Sequence, residues 1–488
     1  MTPATQFEST GIAEVFRVLR EQSVRLVSIF GSVDLIGKHW VHYILDLAGE
    51  YRVLDAPVNG LLPSATAITP AAAWYERELH DQFGIKVEGH PDLRPLVFHQ
   101  NWPDGVHPMN GEVGTVPWSH REYRFLKVDG VGVCEVPVGP VHAGIIEPGH
   151  FRFSVVGDTV LHLELRHFYT HKGTEKLFQG TPLMNGAMIA ESVSGDNCFA
   201  HAVAYCQAVE QACYATVPPR AQEIRLVGLE LERMIAHIGD VGALCGDVGF
   251  TVPAAYTGRL KEKLLLESAD IFGTRYWRGI SVPGGVTKDI SPADAARLRK
   301  AIKDVGREFA ELAQMILDTP SVQNRFESTG VLKSSVAHDL AVVGPAARAS
   351  GIHVDVRHNH PYGAYRNRKV NSVTYHYGDV LARARVRIDE TAATATLLDE
   401  VLASLIPGEI VASIGEESDA QGFSAVESPR GELLYWVEIR SGNIARCHIK
   451  SPSFQNWPAL PLTMPGNIIA DFPLINKSFN LSYSGCDR

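Results

Sequence analysis

The chain has 488 residues, 45% hydrophobic and 20% charged, a balance that suits a globular protein of two domains rather than one oversized core. A formal net charge of −10 excludes binding to a phosphate backbone as the main task, so no nucleic-acid partner is expected. No window offers the roughly 18 uncharged apolar residues that a membrane helix needs, and the first residues, with Glu8, Glu14 and Arg17, lack an apolar signal core. A cytoplasmic location is therefore expected. The seven cysteines (Cys134, Cys198, Cys206, Cys213, Cys245, Cys447 and Cys486) are odd in number and form no Cys-x-x-Cys pair. That argues against a disulfide framework and against an iron–sulfur cluster held by this chain alone, and predicts mostly buried thiols.

In chain order, an amphipathic helix over Ile12–Gln22 precedes strand-like runs at Val24–Phe30, Trp40–Leu47 and Glu50–Leu54. A helix should start near Thr69-Pro70, with Pro just inside its first turn. These elements make residues 1–120 a small α+β unit. Asn101–Pro137 is rich in Pro and Gly and reads as an extended connector, the expected first site of proteolytic nicking. The second unit, 121–488, opens at Glu135-Val136-Pro137-Val138-Gly139-Pro140. Phe151–Val156 and Thr159–His167 flank Gly157-Asp158 as a β-hairpin. From Asp196 to Leu317 the apolar period is helical, and Ser291-Pro292-Ala293-Asp294 carries a capping Ser, a first-turn Pro and an acid. Successive long helices predict a bundle. After Gly351 the pattern is mixed, with a second hairpin over Leu433–Ile439 and Ile444–Ile449 around Ser441-Gly442. The expected class is α+β: a small N-terminal α+β domain, then a large domain with a helical-bundle core and peripheral β-hairpins.

Some stretches are more specific than any period. Glu76-Arg77-Glu78 with Asp81 and Phe83-Gly84, then Gly89-His90-Pro91-Asp92-Leu93-Arg94, resembles the 30 kDa-type subunit of respiratory complex I. Gly139-Pro140-Val141-His142, Glu147-Pro148-Gly149-His150-Phe151-Arg152, His171-Lys172-Gly173 with Glu175-Lys176, and Leu231-Glu232-Arg233 with His237-Ile238-Gly239-Asp240 resemble the 49 kDa-type subunit and the large subunits of group 4 nickel–iron hydrogenases. Gly378-Asp379-Val380 with Ala382-Arg383, and Glu427-Ser428-Pro429-Arg430-Gly431, continue the likeness. The order of the two units is that of the fused hydrogenase-3 and hydrogenase-4 large subunits.

In active relatives of this kind, nickel and iron lie between two Cys-x-x-Cys pairs, because soft thiolates suit both metals. Anchored on Gly195 and Phe199-Ala200-His201, the early pair falls on Ser194 and Asn197, and the usual preceding Arg is Ser192. Anchored on Asp487-Arg488, the late pair falls on Ser482 and Gly485. No segment follows Arg488 that could be shed after nickel insertion, which fits loss of the whole nickel pathway. The resemblance also implies a quinone site, but its usual His and Tyr fall near Pro148 and at Gly195, which cannot donate such a hydrogen bond; quinone is left as a weakened expectation that a pocket of other groups would have to meet. Glu147, His150, Asp379, Arg383 and Arg430 remain as polar cavity candidates, with fold stitching as the competing role of Asp379 and Arg383. Cys198 and Cys486 each lie one residue from a lost ligand and invite a redox disulfide, or a metal site with His201 and Asp196; small residues filling an emptied cavity is the plainer reading. His353, His358 and His360 sit in a segment that looks like family scaffold.

The implied protein is a peripheral-arm subunit of a membrane-bound, complex I-like oxidoreductase on the cytoplasmic face, without hydrogenase chemistry and with no cofactor of its own. Its implied neighbours are an iron–sulfur small subunit, a ferredoxin-like subunit and antiporter-like membrane subunits. The alternatives are a hydrogenase with unusual ligands and a non-catalytic scaffold. Protein purified from its native host is expected to lack stoichiometric nickel, because Ser194, Asn197, Ser482 and Gly485 supply no thiolate. Elemental analysis finding one nickel per chain, together with hydrogen-dependent dye reduction, would sink that expectation.

Overall fold

A computed structural model describes residues 6–488 apart from 22–23, 48, 112, 144–145 and 416–418. Strand β1 (Gln6–Ser9) leads into helix α1 (Ile12–Leu19), whose Val15, Val18 and Leu19 face inward at helical spacing. Strands β2 (Val24–Val33), β3 (His39–Leu47) and β4 (Glu50–Val58) pair antiparallel in succession, and β1 joins β4 in parallel, giving the order β1-β4-β3-β2. The short parallel strands β5 (Leu61–Pro63) and β6 (Lys86–Glu88) flank helix α2 (Ala73–Phe83), which follows a 3-10 turn at Pro70–Ala72. The α2 helix packs closely on β2, where Gly31 leaves space for the Phe83 ring; a Cβ at Gly31 would come within 2.9 Å of it. Between 113 and 132 no described residue is in a helix or strand.

The second unit begins with the antiparallel sheet β7 (Val133–Val138), β8 (His150–Val156) and β9 (Thr159–Arg166). The hairpin read from the sequence is β8–β9, and β7 adds a third strand. Short helices α3 (Thr174–Leu177) and α4 (Gly186–Glu191) precede α5 (Cys198–Ala212), α6 (Pro219–Asp247) and α7 (Thr251–Phe272). A two-residue ribbon, β10 (Ser281–Val282) and β11 (Gly285–Val286), leads to α8 (Pro292–Asp318), where Ser291 Oγ accepts the Asp294 N–H at 3.1 Å as the sequence predicts. Helices α9 (Pro320–Phe326), α10 (Ser334–Asp339), α11 (Gly344–Ala349) and α12 (Val356–Asn359) are short, and α13 (Val380–Ala403) is long. Helices α6, α7, α8 and α13 pack into the bundle. The sheet β12 (Asp419–Ser428), β13 (Gly431–Arg440) and β14 (Asn443–Lys450) packs on α5, and α14 (Pro452–Asn456), α15 (Phe472–Phe479) and α16 (Tyr483–Asp487) end the chain. Among the described residues no helix is long and apolar enough to cross a membrane.

The small unit lies with β2 against β14, so the face of its sheet away from α2 is buried by the large unit. Apolar contact there is led by Phe30, stacked on His448 with ring centroids 4.1 Å apart and tilted against Trp436 at 5.0 Å. The polar contacts are specific. Arg25 donates twice to the fully buried Glu432 at 2.7 and 2.9 Å, Tyr51 donates at 2.6 Å and Lys450 at 2.7 Å. Burial alone would raise the Glu432 carboxyl, but Arg25 and Lys450 overcome it and hold it well below the usual carboxylate range. Removing Glu432 leaves the buried Lys450 and the mostly buried Arg25 facing each other without their shared anion. Glu432→Ala is expected to cost about 3–5 kcal/mol in denaturant unfolding; a loss below about 1 kcal/mol would show that the seam does not need this carboxylate.

Candidate functional site

The segment before α5 and the segment at the start of α16 carry Ser194, Asn197, Ser482 and Gly485, the four positions that the sequence reading assigns to lost cysteine ligands. The fold brings them together. Ser194 Oγ lies 3.0 Å from Ser482 Oγ, and Ser194 Oγ donates to Asp196 Oδ1 at 2.6 Å. A carboxylate only accepts, and Ser194 has one proton, so Ser482 must donate to Ser194. Ser482 Oγ in turn accepts the Gly485 N–H at 2.9 Å as the N-cap of α16, with Ser484 Oγ 3.3 Å away. Asp196 closes the chain in an ion pair with Arg430, which also donates through Nε to the Asn480 carbonyl. The result is a run from Ser484 through Ser482, Ser194 and Asp196 to Arg430 that ties three distant parts of the sequence together.

Two further staples hold the segments. Lys172 Nζ donates to the carbonyls of Ser192 and Val193, each at 2.9 Å, while the Lys172 N–H donates to the Arg488 carbonyl at 2.9 Å. Thr170 donates through both N–H (3.0 Å) and Oγ (2.7 Å) to Asp487, and His171 donates to the Asp487 carbonyl at 2.6 Å. Burial pushes the Asp487 carboxyl up to about 6. Arg488 reaches the other unit as an ion pair with Glu78, so the site is braced from both domains.

Beside this run lies a cavity of about 580 Å³. Its polar lining includes Glu147, Asp196, Asp247, Arg430, Lys477 and Ser482, and its apolar wall includes Val138, Ile146, Phe151, Phe472 and Leu481. Of the sequence candidates, Glu147 and Arg430 face it, and Glu147 accepts the Ser484 N–H at 2.9 Å. His150 lines a different, open recess with Arg152 and Arg166, and its Nδ1 donates to the Gly139 carbonyl at 3.0 Å. Asp379 and Arg383 are not among the lining residues. Asp379 caps α13, accepting the Ala382 N–H at 2.8 Å, and also accepts the Ser328 N–H at 2.9 Å. The buried Arg383 donates to Ser478 Oγ and to the carbonyls of Gly378 and Gly330, and burial lowers its guanidinium to about 9. Both act on the fold beneath the cavity. Asp247, which the sequence reading passed over, lines the cavity from the exposed last turn of α6. It lies ten residues after His237 and seven after Asp240 on α6, a spacing that puts all three on one helical stripe.

The donor set does not fit a nickel–iron centre. The four positions offer two hydroxyls, one amide and a glycine; the two hydroxyls are bonded directly to each other, and a Cβ at position 485 would press on Ser482 at 3.0 Å. Nor do the other candidates assemble. Cys198 and Cys486 are free thiols, and Cys198 Sγ donates to the Tyr276 carbonyl. His201 is fully buried, bonds Tyr435 at 2.8 Å and is pushed down to about 3 by burial, so it is neutral. His353 packs edge-on to His358, whereas His360 bonds Asp46 of the small unit at 3.0 Å. Among the described residues no three His, Cys, Asp or Glu side chains converge as a metal-ligating set.

Comparison with known proteins agrees with this architecture. The family described as respiratory-chain NADH dehydrogenase, 30 Kd subunit, matches residues 5–115, and respiratory-chain NADH dehydrogenase, 49 Kd subunit, matches residues 247–488. Hydrogenase-4 component G of Escherichia coli (strain K12) is 32% identical over 479 residues, covering 94% of this chain and 83% of that protein. Formate hydrogenlyase subunit 5 of the same organism is 33% identical over 480 residues, covering 94% of this chain and 84% of that protein. Among solved structures, a chain of the membrane-bound sulfane sulfur reductase, an archaeal respiratory membrane complex, shares the fold. Its TM-score is 0.70 at 23% identity, over 73% of this chain and 99% of that one.

If the Ser482–Ser194 bond joins the two segments, its partners are coupled. Ser482→Ala is expected to cost about 1–2 kcal/mol through the lost cap and the lost bond. Combining it with Ser194→Ala should fall short of the sum of the single losses by about 0.5–1.5 kcal/mol in a double-mutant cycle. Strict additivity in urea unfolding would show that the two hydroxyls do not interact.

Proposed function

We propose that this chain, which belongs to the family of fused 30 kDa- and 49 kDa-type large subunits that includes hydrogenase-4 component G and formate hydrogenlyase subunit 5, is a peripheral-arm subunit of a membrane-bound, complex I-like oxidoreductase and couples electron transfer to ion translocation without nickel–iron chemistry. One observation carries the second half of that reading: at the positions of the metal ligands, Ser194 and Ser482 are bonded to each other. The first half rests on the relatives, two of which are named as parts of hydrogenase systems, and on the fold shared with a respiratory membrane complex. Because its cysteines form no Cys-x-x-Cys pair, electrons on this reading come from a cluster on another subunit. The proposed neighbours are an iron–sulfur small subunit, a ferredoxin-like subunit and antiporter-like membrane subunits, with the assembly on the cytoplasmic face of the membrane.

The cavity favours a catalytic or regulatory role over a passive scaffold. Three carboxyl groups and a guanidinium beside an apolar wall form a pocket for an apolar molecule with a polar head. A quinone is the proposed occupant, with Arg430 and Lys477 as the charged hydrogen-bond donors in the cavity lining.

Mild-detergent extraction of native membranes followed by capture of this chain is expected to recover a cluster-bearing subunit and membrane subunits in fixed ratio. The captured complex should reduce no dye with hydrogen. A monodisperse monomer in membranes and cytosol alike would defeat the assembly reading, and hydrogen-dependent dye reduction would defeat the loss of hydrogenase chemistry.

A further inference from the structure

The core of the large unit contains eight ionisable side chains that the cavity does not use. Glu230, Arg233 and His237 come from α6, Arg348 from α11, Asp355 and Arg357 from the start of α12, Glu390 from α13 and Glu427 from the end of β12. None is more than 4% exposed. They form one network. Arg348 donates to Glu390 at 2.6 Å and to Glu427 Oε1 at 2.9 Å; Arg357 grips Asp355 at 2.7 and 3.0 Å and Glu230 twice at 3.1 Å. Arg233 lies 3.4 Å from Glu230, and His237 Nε2 donates to Glu390 at 2.9 Å. Tyr365 and Thr394 add neutral donors to Glu230, and the neighbouring charges pair off: Arg387 with Asp240 at 2.9 Å, and the buried Lys450, which also feels Glu427, with Glu432 at 2.7 Å.

The charges do not balance as drawn. Four carboxylates face three guanidiniums, which stay charged at any pH the protein meets. With His237 neutral, the network would carry an uncompensated negative charge among side chains at most 4% exposed, a far costlier state than binding a proton. The carboxyl with least compensation is Glu427. Glu390 has Arg348 and His237, Glu230 has Arg357, Arg233, Tyr365 and Thr394, and Asp355 has two bonds from Arg357. Glu427 has only one N–H of the Arg348 it shares with Glu390, and the Val356 N–H at 3.1 Å.

We propose that Glu427 binds one exchangeable proton at neutral pH, making this network a proton-binding site behind the cavity wall. Proton affinities follow the same order: burial and then the neighbouring Asp355 push the Glu427 carboxyl up to about 7, whereas Glu230, though buried, is held at about 2 by Arg357 and Arg233. Burial pushes His237 down, and its Nδ1 finds no partner, so the proton does not settle there. The site is close to the cavity by covalent structure. Glu427 and Arg430 share the β12–β13 turn three residues apart, and Arg233 holds that turn by donating to the carbonyls of Glu427 and Ser428. A change of charge at the Arg430–Asp196 pair therefore acts on the proton at Glu427 across one turn. This inference does not depend on which partner or carrier the cavity serves.

The test is infrared spectroscopy of the full-length protein in water and heavy water. The spectrum of the wild type minus Glu427→Gln at neutral pH should show a protonated-carboxyl band that shifts in heavy water and fades as pH rises. Absence of that band from the difference spectrum overturns the proposal. Should Glu427→Gln not fold, Glu427→Asp keeps the carboxyl, and the band should move in frequency; a protonated-carboxyl spectrum identical to the wild type overturns it equally.

Discussion

Burial of carboxylates with their counter-charges is the constraint from which the rest of this architecture follows. Glu432 shows it in simplest form. It has no solvent contact, and its stability as an anion requires Arg25 and Tyr51 from one unit and Lys450 from the other to arrive together. A small domain tethered only by its connector would be free to turn; one whose Arg25 satisfies a buried anion of its neighbour is not. Asp46–His360, Ser28–His448 and Tyr75–Gln455 repeat the arrangement along the same seam, at 3.0, 2.8 and 2.7 Å.

The candidate site inherits its rigidity from that seam. Arg488 ends the segment that carries Ser482, and its guanidinium is shared between Glu78 of the small unit and Glu175 of the large one. Glu175 also accepts from His448, whose other ring nitrogen bonds Ser28 on β2. The position of Ser482 thus depends on contacts running through both units, and protein contacts alone are enough to keep the Ser194 and Ser482 segments adjacent. The hydroxyl relay from Ser484 to Asp196 is weak bond by bond, at about 1 kcal/mol each; it persists because the surrounding staples have already fixed both backbones.

Sequence patterning was legible where the chain repeats local rules. The Ser291-Pro292 start of α8, the β8–β9 hairpin and the α2 helix follow from short-range signals, whereas the meeting of the Ser194 and Ser482 segments was legible only through the family resemblance. Helix α13 was hidden, because Arg383, Arg387, Glu390 and Thr394 are buried in it and break the amphipathic period that marks a surface helix. Strand β12 was hidden by Gly422, a residue that usually weakens a strand but is needed here because a Cβ would clash with the Ala208 carbonyl of α5. The Arg430–Asp196 pair was out of reach for a different reason: its members are 234 positions apart, and nothing local to either specifies the other. Charge partners in this protein are set by topology, which composition and period do not encode.

That same dependence on topology bears on the proposed loss of metal ligands at Ser194, Asn197, Ser482 and Gly485, beside which the cavity of about 580 Å³ lies. A centre of two metals and four thiolates fixes geometry and carries local charge. Here geometry is kept by the Lys172 and Thr170 staples, and charge is rebalanced by bringing the carboxylate of Asp196 against Arg430, a guanidinium whose turn is already held from below by Arg233. The ion pair is not sealed: the Asp196 side chain is 49% exposed toward the cavity while that of Arg430 is 7% exposed. A ligand entering the cavity therefore meets the carboxylate first and alters the field at Arg430, on the turn that also carries Glu427. The cavity beside Ser194 and Ser482 and the buried charge network behind Arg430 thus meet at one turn, the β12–β13 turn that Arg233 holds.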